Sequence, residues 1–119
     1  MVNIEGESYI VINVHDGEVI ETKNEHDIQS IVSISKIMTA LVALNVGDFN
    51  DHWILDDEVN YIDGSSIYLV EGQQVSMGSL LYGLMLKSGN DVTVAIVVRV
   101  SGSEEKFVEE MNKLANWYV

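Results

Sequence analysis

Two residue types that can do chemistry together lie one helical turn apart in an uncharged stretch. Between Asp27 and Asp48 the chain reads IQSIVSISKIMTALVALNVG, and Lys36 is its only charge. Ser33 stands three residues earlier, so in a helix the two side chains share a face. The other faces are mostly Ile, Met, Leu, Val and Ala, which predicts a helix buried nearly all round. Burial disfavours the charged form of an ammonium, so a buried lysine is a candidate base near neutral pH. A serine beside such a base is a candidate nucleophile. Ser-x-x-Lys alone is a weak string, and a lysine that snorkels to the surface is the alternative.

A second polar string, Ser88-Gly89-Asn90, interrupts two apolar segments. Taken alone it reads as a helix–helix turn, because Ser, Gly and Asn are all turn formers.

Several elements must position these groups. Glu7 to Val14 reads as a strand, with Tyr9 and Val11 on one face. Glu18 to Lys23 reads as its return, Val19 and Glu21 alternating against Ile20 and Thr22. Asp16-Gly17 between them is a two-residue hairpin signal. The helix carrying Ser33 and Lys36 is expected from Ser30 to Val46, with Gly47 near its C-cap. Gly47 to Gly72 reads as irregular and acidic, with short apolar pieces at Trp53–Leu55 and Ile67–Val70. Ser76 is placed to cap a helix from about Met77 to Lys87.

Asp91 reads as the cap of the next segment, DVTVAIVVRV. Its β-branched residues favour a strand by propensity, but its place between two helices favours a buried helix. Ser103 caps a last helix, with Glu104 and Glu105 where the helix dipole favours acids. On it Phe107, Val108, Met111, Leu114, Ala115 and Tyr118 fall on one stripe.

A length of 119 residues suits one domain with a modest core. An apolar fraction of 47% sets the disordered class aside. Nineteen acidic residues against six basic ones give a formal charge of -13. That field repels nucleic acid and anionic membrane surfaces, and it also keeps a surface well solvated. There is no Cys, so disulfide and thiolate chemistry are excluded. His15, His26 and His52 show no metal-ligand spacing. The opening MVNIEGESY lacks the basic and apolar regions of a signal peptide. The stretch around Lys36 holds too much Gln, Ser, Thr and Asn for a membrane span. The closing Trp117-Tyr118-Val119 has no polar tail, which suggests that the natural chain continues.

Together, Ser33-Ile34-Ser35-Lys36 and Ser88-Gly89-Asn90 match the active-site pattern of penicillin-binding proteins and class A β-lactamases. Lys36 to Leu44 resembles the nucleophile helix of serine D-Ala-D-Ala carboxypeptidases. Gly64-Ser65-Ser66-Ile67-Tyr68-Leu69, Glu71-Gly72, Leu80-Leu81-Tyr82-Gly83-Leu84 and Lys87-Ser88-Gly89-Asn90-Asp91 follow in that family's order. Glu105-Lys106-Phe107-Val108 and Met111-Asn112 resemble its next helix. The resemblance covers nearly the whole chain, from Tyr9 to Ala115.

The resemblance implies an α+β fold: the N-terminal part of a β-lactamase/transpeptidase-like domain, residues 1–119, with one antiparallel hairpin followed by a mostly helical region. It implies Ser33 as the acylated nucleophile and Lys36 as its base. Ser88 would relay a proton to the leaving group. Asn90 would hold the substrate amide and help orient Lys36. The implied reaction is trimming of the terminal D-alanine from peptidoglycan stem peptides, with β-lactams acylating the same serine. No metal or organic cofactor is expected, nor any nucleic-acid partner. Membrane association is not visible in the sequence. The implied location is the extracytoplasmic cell envelope.

Two departures stand out. The family has Pro-Ala before its nucleophile, and here Ile31-Val32 stands there, which alters how the helix starts rather than the reacting groups. More seriously, no Lys-Thr-Gly or Lys-Ser-Gly strand follows the first two motifs. Lys87-Ser88-Gly89 spells that string but belongs to the second motif, at a helix end. A β-lactamase or esterase of the same fold is one alternative reading. A non-catalytic truncated domain serving as an interaction module, or associating with itself through uncovered apolar surface, is the other.

Overall fold

The computed structural model describes residues 5–28 and 35–118. They form two compact units, divided between Ile31 and Val32.

In the first unit, β1 (Tyr9–Ile12) pairs antiparallel with β2 (Val19–Lys23). Tyr9 faces Lys23, Val11 faces Glu21 and Ile12 faces Val19, with a register shift between Val11 and Ile12. The expected two-residue turn is instead a longer loop. Asn13 N–H donates to Glu18 O (2.8 Å) and Gly17 N–H to Asn13 O (2.8 Å). Side chains shape it too: Asn13 Oδ1 accepts from His15 N–H and Asp16 Oδ1 from Glu18 N–H, each at 2.9 Å. These Asx contacts compete with a tight two-residue reversal. The register shift skips Ile20 of β2, which forms a bulge.

The second unit is helical with one small sheet. Its helices are α1 (Ser35–Val46), α2 (Met77–Lys87), α3 (Asn90–Ser101) and α4 (Glu104–Tyr118). Ser76 caps α2 as expected, its Oγ accepting from Ser79 N–H. Ser103 Oγ likewise accepts from Lys106 N–H in the first turn of α4. The α3 segment is a helix despite its β-branched composition. Its buried residues Val92, Ala95 and Ile96 recur at helical spacing, and packing on one face outweighs propensity. Gly102 ends it in the left-handed region, at φ 78°.

Helix α3 packs against α1, α2 and α4 and is the centre of the unit. The core joins Val42 and Ala43 of α1, Leu80 and Leu84 of α2, Val92, Ala95 and Ile96 of α3, and Phe107 of α4. Met77 at the start of α2 adds to it, and Leu55, Val59 and Val75 close it from the stretch between α1 and α2.

The stretch expected to be irregular holds a second hairpin. β3 (His52–Ile54) pairs antiparallel with β4 (Gln74–Ser76), Trp53 facing Val75. A short 3₁₀ turn, Asp57–Val59, follows β3 and buries Val59. Arg99 of α3 clamps the start of this hairpin. Its guanidinium donates to both Asp51 carboxylate oxygens (2.7 and 2.9 Å) and lies 5.0 Å from the centre of the Trp53 ring.

One expectation about α1 fails. The helix is buried on one side only, through Thr39, Ala40, Val42 and Ala43. Ile37, Leu44 and Val46 are each about half exposed. An apolar residue reports what could be buried; burial also needs an element to cover it. Among the described residues, no helix is long and apolar enough to cross a membrane.

Candidate active site

Lys36 sits in the first turn of α1 and is half-buried. Its Nζ donates to two acceptors from the α2–α3 junction, the Asn90 side-chain oxygen (3.0 Å) and the Ser88 backbone carbonyl. Three of the four residues singled out from sequence, Lys36, Ser88 and Asn90, therefore meet at one place. Ser33 lies outside the described residues.

The junction is built by two helix ends. Ser88 is the C-cap of α2, in the left-handed conformation (φ 51°, ψ 38°), and its N–H returns to Leu84 O. That conformation is uncommon for a residue with a Cβ. Here it turns the Ser88 carbonyl toward Lys36. Gly89 is the N-cap of α3, with no side-chain cap bond.

The loop of residues 63–69, quoted from sequence only as part of the resemblance and given no role there, holds the junction from the other side. Ser65 Oγ donates to the same Ser88 carbonyl at 2.6 Å. Asn90 N–H donates to Ser65 O at 2.7 Å, and Asn90 Nδ2 to Asp63 O at 2.9 Å. The Asn90 amide is thus fixed with its nitrogen toward a carbonyl and its oxygen toward Lys36. The chemistry of the partners dictates that orientation. Gly64, between the two loop carbonyls, has φ 85°, and a Cβ there would collide with Asn90 Nδ2. A glycine is needed both for the turn and for the close approach.

The loop is itself anchored by Asp91, which is 1% exposed. The reading of Asp91 as the cap of α3 is corrected: it lies within the first turn, and much of its carboxylate is turned onto the loop. Its oxygens accept from Ser66 Oγ (2.8 Å), Leu69 N–H (2.9 Å), Val92 N–H (2.9 Å) and Ile67 N–H (3.2 Å). Burial pushes the Asp91 carboxyl up, but the four donors outweigh it and hold it below the usual carboxylate range. The available sequence signal was an acid entering an apolar segment, which a cap explains equally well. Gly64 after Asp63 was the other, an ordinary turn signal.

Among the described residues no three His, Cys, Asp or Glu side chains are grouped to hold a metal ion. A half-buried amine, two polar helix ends and a glycine turn can support proton transfer and hold an amide. A nucleophile and an oxyanion pocket would have to come from elsewhere at the site.

The sequence matches the D-alanyl-D-alanine carboxypeptidase family over residues 1–118. The chain belongs to that family. It is 34% identical over 116 residues to the D-alanyl-D-alanine carboxypeptidase DacF of Bacillus subtilis (strain 168), covering 93% of this chain and 30% of that protein. It is 35% identical over 126 residues to DacA of Escherichia coli (strain K12), covering 95% of this chain and 31% of that protein. Its fold follows that of penicillin binding protein 6B from Escherichia coli, with a TM-score of 0.84 at 28% identity. That match covers 98% of this chain and 40% of the other. The α+β, transpeptidase-like architecture expected from the motifs is therefore present, with a second hairpin added. The chain spans about a third of the length of the curated carboxypeptidases it matches.

Proposed function

We propose that residues 1–119 are part of one transpeptidase-like domain of a serine D-Ala-D-Ala carboxypeptidase. The reading assigns Ser33 as nucleophile, Lys36 as its base, Ser88 as proton relay and Asn90 as the residue that orients Lys36 and the substrate amide. The observation that carries it is the double hydrogen bond from Lys36 Nζ to Ser88 O and Asn90 Oδ1. A neutral amine has two N–H bonds and one lone pair. In that form both N–H groups would be taken by these acceptors, and the lone pair would be left for a serine hydroxyl.

The chemistry then balances as acyl transfer. Ser33 Oγ attacks the carbonyl of the penultimate D-alanine as its proton passes to Lys36 Nζ. The C–N bond breaks, and the departing D-alanine nitrogen takes a proton through the Ser88 hydroxyl. Water then hydrolyses the ester. Backbone N–H groups at the start of α1 suit one side of an oxyanion hole. The second donor and a cation for the substrate carboxylate would come from a third-motif strand, which these residues do not contain. A lost oxyanion donor lowers turnover by roughly 10²–10³. The 119 residues alone are therefore expected to be a poor carboxypeptidase.

The substrate class that follows is a peptidoglycan stem peptide, with β-lactams as acylating analogues, and the place of action is outside the cytoplasmic membrane. Half-exposed Leu44, Phe49 and Met85 and the more exposed Tyr82 and Leu86 support self-association through an apolar face.

The test is covalent labelling. A fluorescent penicillin added to the polypeptide that carries this sequence is expected to attach to Ser33, and not to Ser33→Ala. Absence of an adduct, or one on another residue, would overturn the reading. Rapid turnover of a chromogenic cephalosporin without D-alanine release would instead assign a β-lactamase.

A further inference from the structure

The mechanism above makes no use of Asp91, although it is a buried carboxylate one residue from Asn90. We propose that Asp91 is a positioning residue for the reaction: through the 63–69 loop it sets where Ser88 O and Asn90 Oδ1 present themselves to Lys36. The proposal rests on the acyl-transfer reading of the site.

The connection runs through named bonds in three tiers. Asp91 fixes the far half of the loop through Ser66, Ile67 and Leu69. The near half fixes the junction: Asp63 O and Ser65 O hold Asn90, and Ser65 Oγ holds the Ser88 carbonyl. The junction then supplies both acceptors described for Lys36 Nζ. Asp91 touches none of the groups proposed to react. A carboxylate suits this place because both its oxygens only accept. Three of its four donors are backbone N–H groups, which cannot turn away.

An asparagine has nearly the same shape but one donating end. Whichever way it points, its NH₂ faces two donors: Leu69 N–H with Ser66 O–H, or Ile67 N–H with Val92 N–H. Asp91→Asn should therefore displace the loop without opening a cavity. A purely structural anchor would make the protein less stable but leave the site of each folded molecule unchanged. A positioning residue changes the site itself.

The experiment compares wild type, Asp91→Asn and Ser66→Ala by two readouts at a temperature where circular dichroism shows each to be folded. The first is the rate constant for acylation by fluorescent penicillin as a function of pH. The second, independent of activity, is the pH titration of the Lys36 Cε resonance in ¹³C-lysine-labelled protein. For Asp91→Asn the expected result is a loss of roughly 10–100-fold in acylation, a displaced pH profile and an altered Lys36 titration. Ser66→Ala removes one donor and should show the same changes, smaller. It also serves if Asp91→Asn fails to fold.

Wild-type acylation rates and an unmoved Lys36 resonance in the folded variants would overturn the proposal. If penicillin labels no form of the protein, the acyl-transfer reading fails. The Lys36 titration then still decides whether Asp91 positions that amine.

Discussion

Lys36 Nζ donates to Asn90 Oδ1 at 3.0 Å, across 54 residues of sequence. The bond joins the first turn of α1 to the first turn of α3. Lys36→Ala removes the proposed base and leaves the Asn90 oxygen and the Ser88 carbonyl without this donor. Acylation by a fluorescent penicillin is expected to fall by about 10²–10⁴, the range for a positioned general base. A variant that labels at the wild-type rate would remove Lys36 from the mechanism.

Gly64→Ala meets two obstacles at once, the positive φ and the Asn90 side chain. The substitution is expected to destabilise the fold by about 1–3 kcal/mol. It should also slow acylation, because Asn90 must move. Urea unfolding alongside penicillin labelling checks both. A stable, fully reactive Gly64→Ala would mean that Asn90 need not sit where it does.

Asp91 gives stability a definite dependence on acid. Its folded pKa is depressed, so its contribution is fully present above the unfolded value, about 3.9 for an aspartate. The contribution is lost as pH falls through the lower, folded value. The stability gap between wild type and Asp91→Asn should be on the order of 3 kcal/mol near neutrality, from buried donors left without acceptors. It should narrow below pH ~4. Unfolding midpoints across that window would show it, and a constant gap would contradict it.

Phe107 is 2% exposed and joins α4 to the core. Phe107→Ala is expected to cost about 3–5 kcal/mol. Thermal or urea denaturation measures this directly, and a loss under 1 kcal/mol, about that of a surface change, would place α4 outside the cooperative unit.

The apolar face bearing Tyr82, Met85 and Leu86 bears on association state. Leu86 is 77% exposed, so Leu86→Glu removes apolar surface without disturbing packing. Sedimentation velocity over a concentration series is expected to show less self-association in the variant. Identical profiles would dismiss this face as a contact surface.

Local signals were legible where one residue type has one use. Ser76 before an apolar run marked the start of α2, and Lys87 its end. Helical spacing and neighbouring helices identified α3 against its own propensity. The β3–β4 hairpin was hidden because each strand has three residues, too few for a visible alternation, and the partners are far apart in sequence. The α1 stretch announced its apolarity but not which faces have neighbours. Lys36, Ser88 and Asn90 were found through paired motifs. Asp91 was misread because an acid opening an apolar segment has the same signature whether it caps the helix or reaches elsewhere. The string Gly64 to Leu69 was legible only as a resemblance; that the carbonyls of Asp63 and Ser65 hold Asn90 was not, since a backbone acceptor does not depend on residue type.

The central place of α3 also shapes how the chain acquires its reactivity as it folds. The same helix touches α1, α2 and α4 and begins with Asn90 and Asp91. Lys36 can find its acceptors only when α3 has docked, and docking α3 is also what closes the core. Folding and site assembly are then expected to be one kinetic event. A refolding chain is expected to gain the ability to react in step with the burial of Trp53 and the core side chains, without a stage in which a finished core waits for an unfinished site.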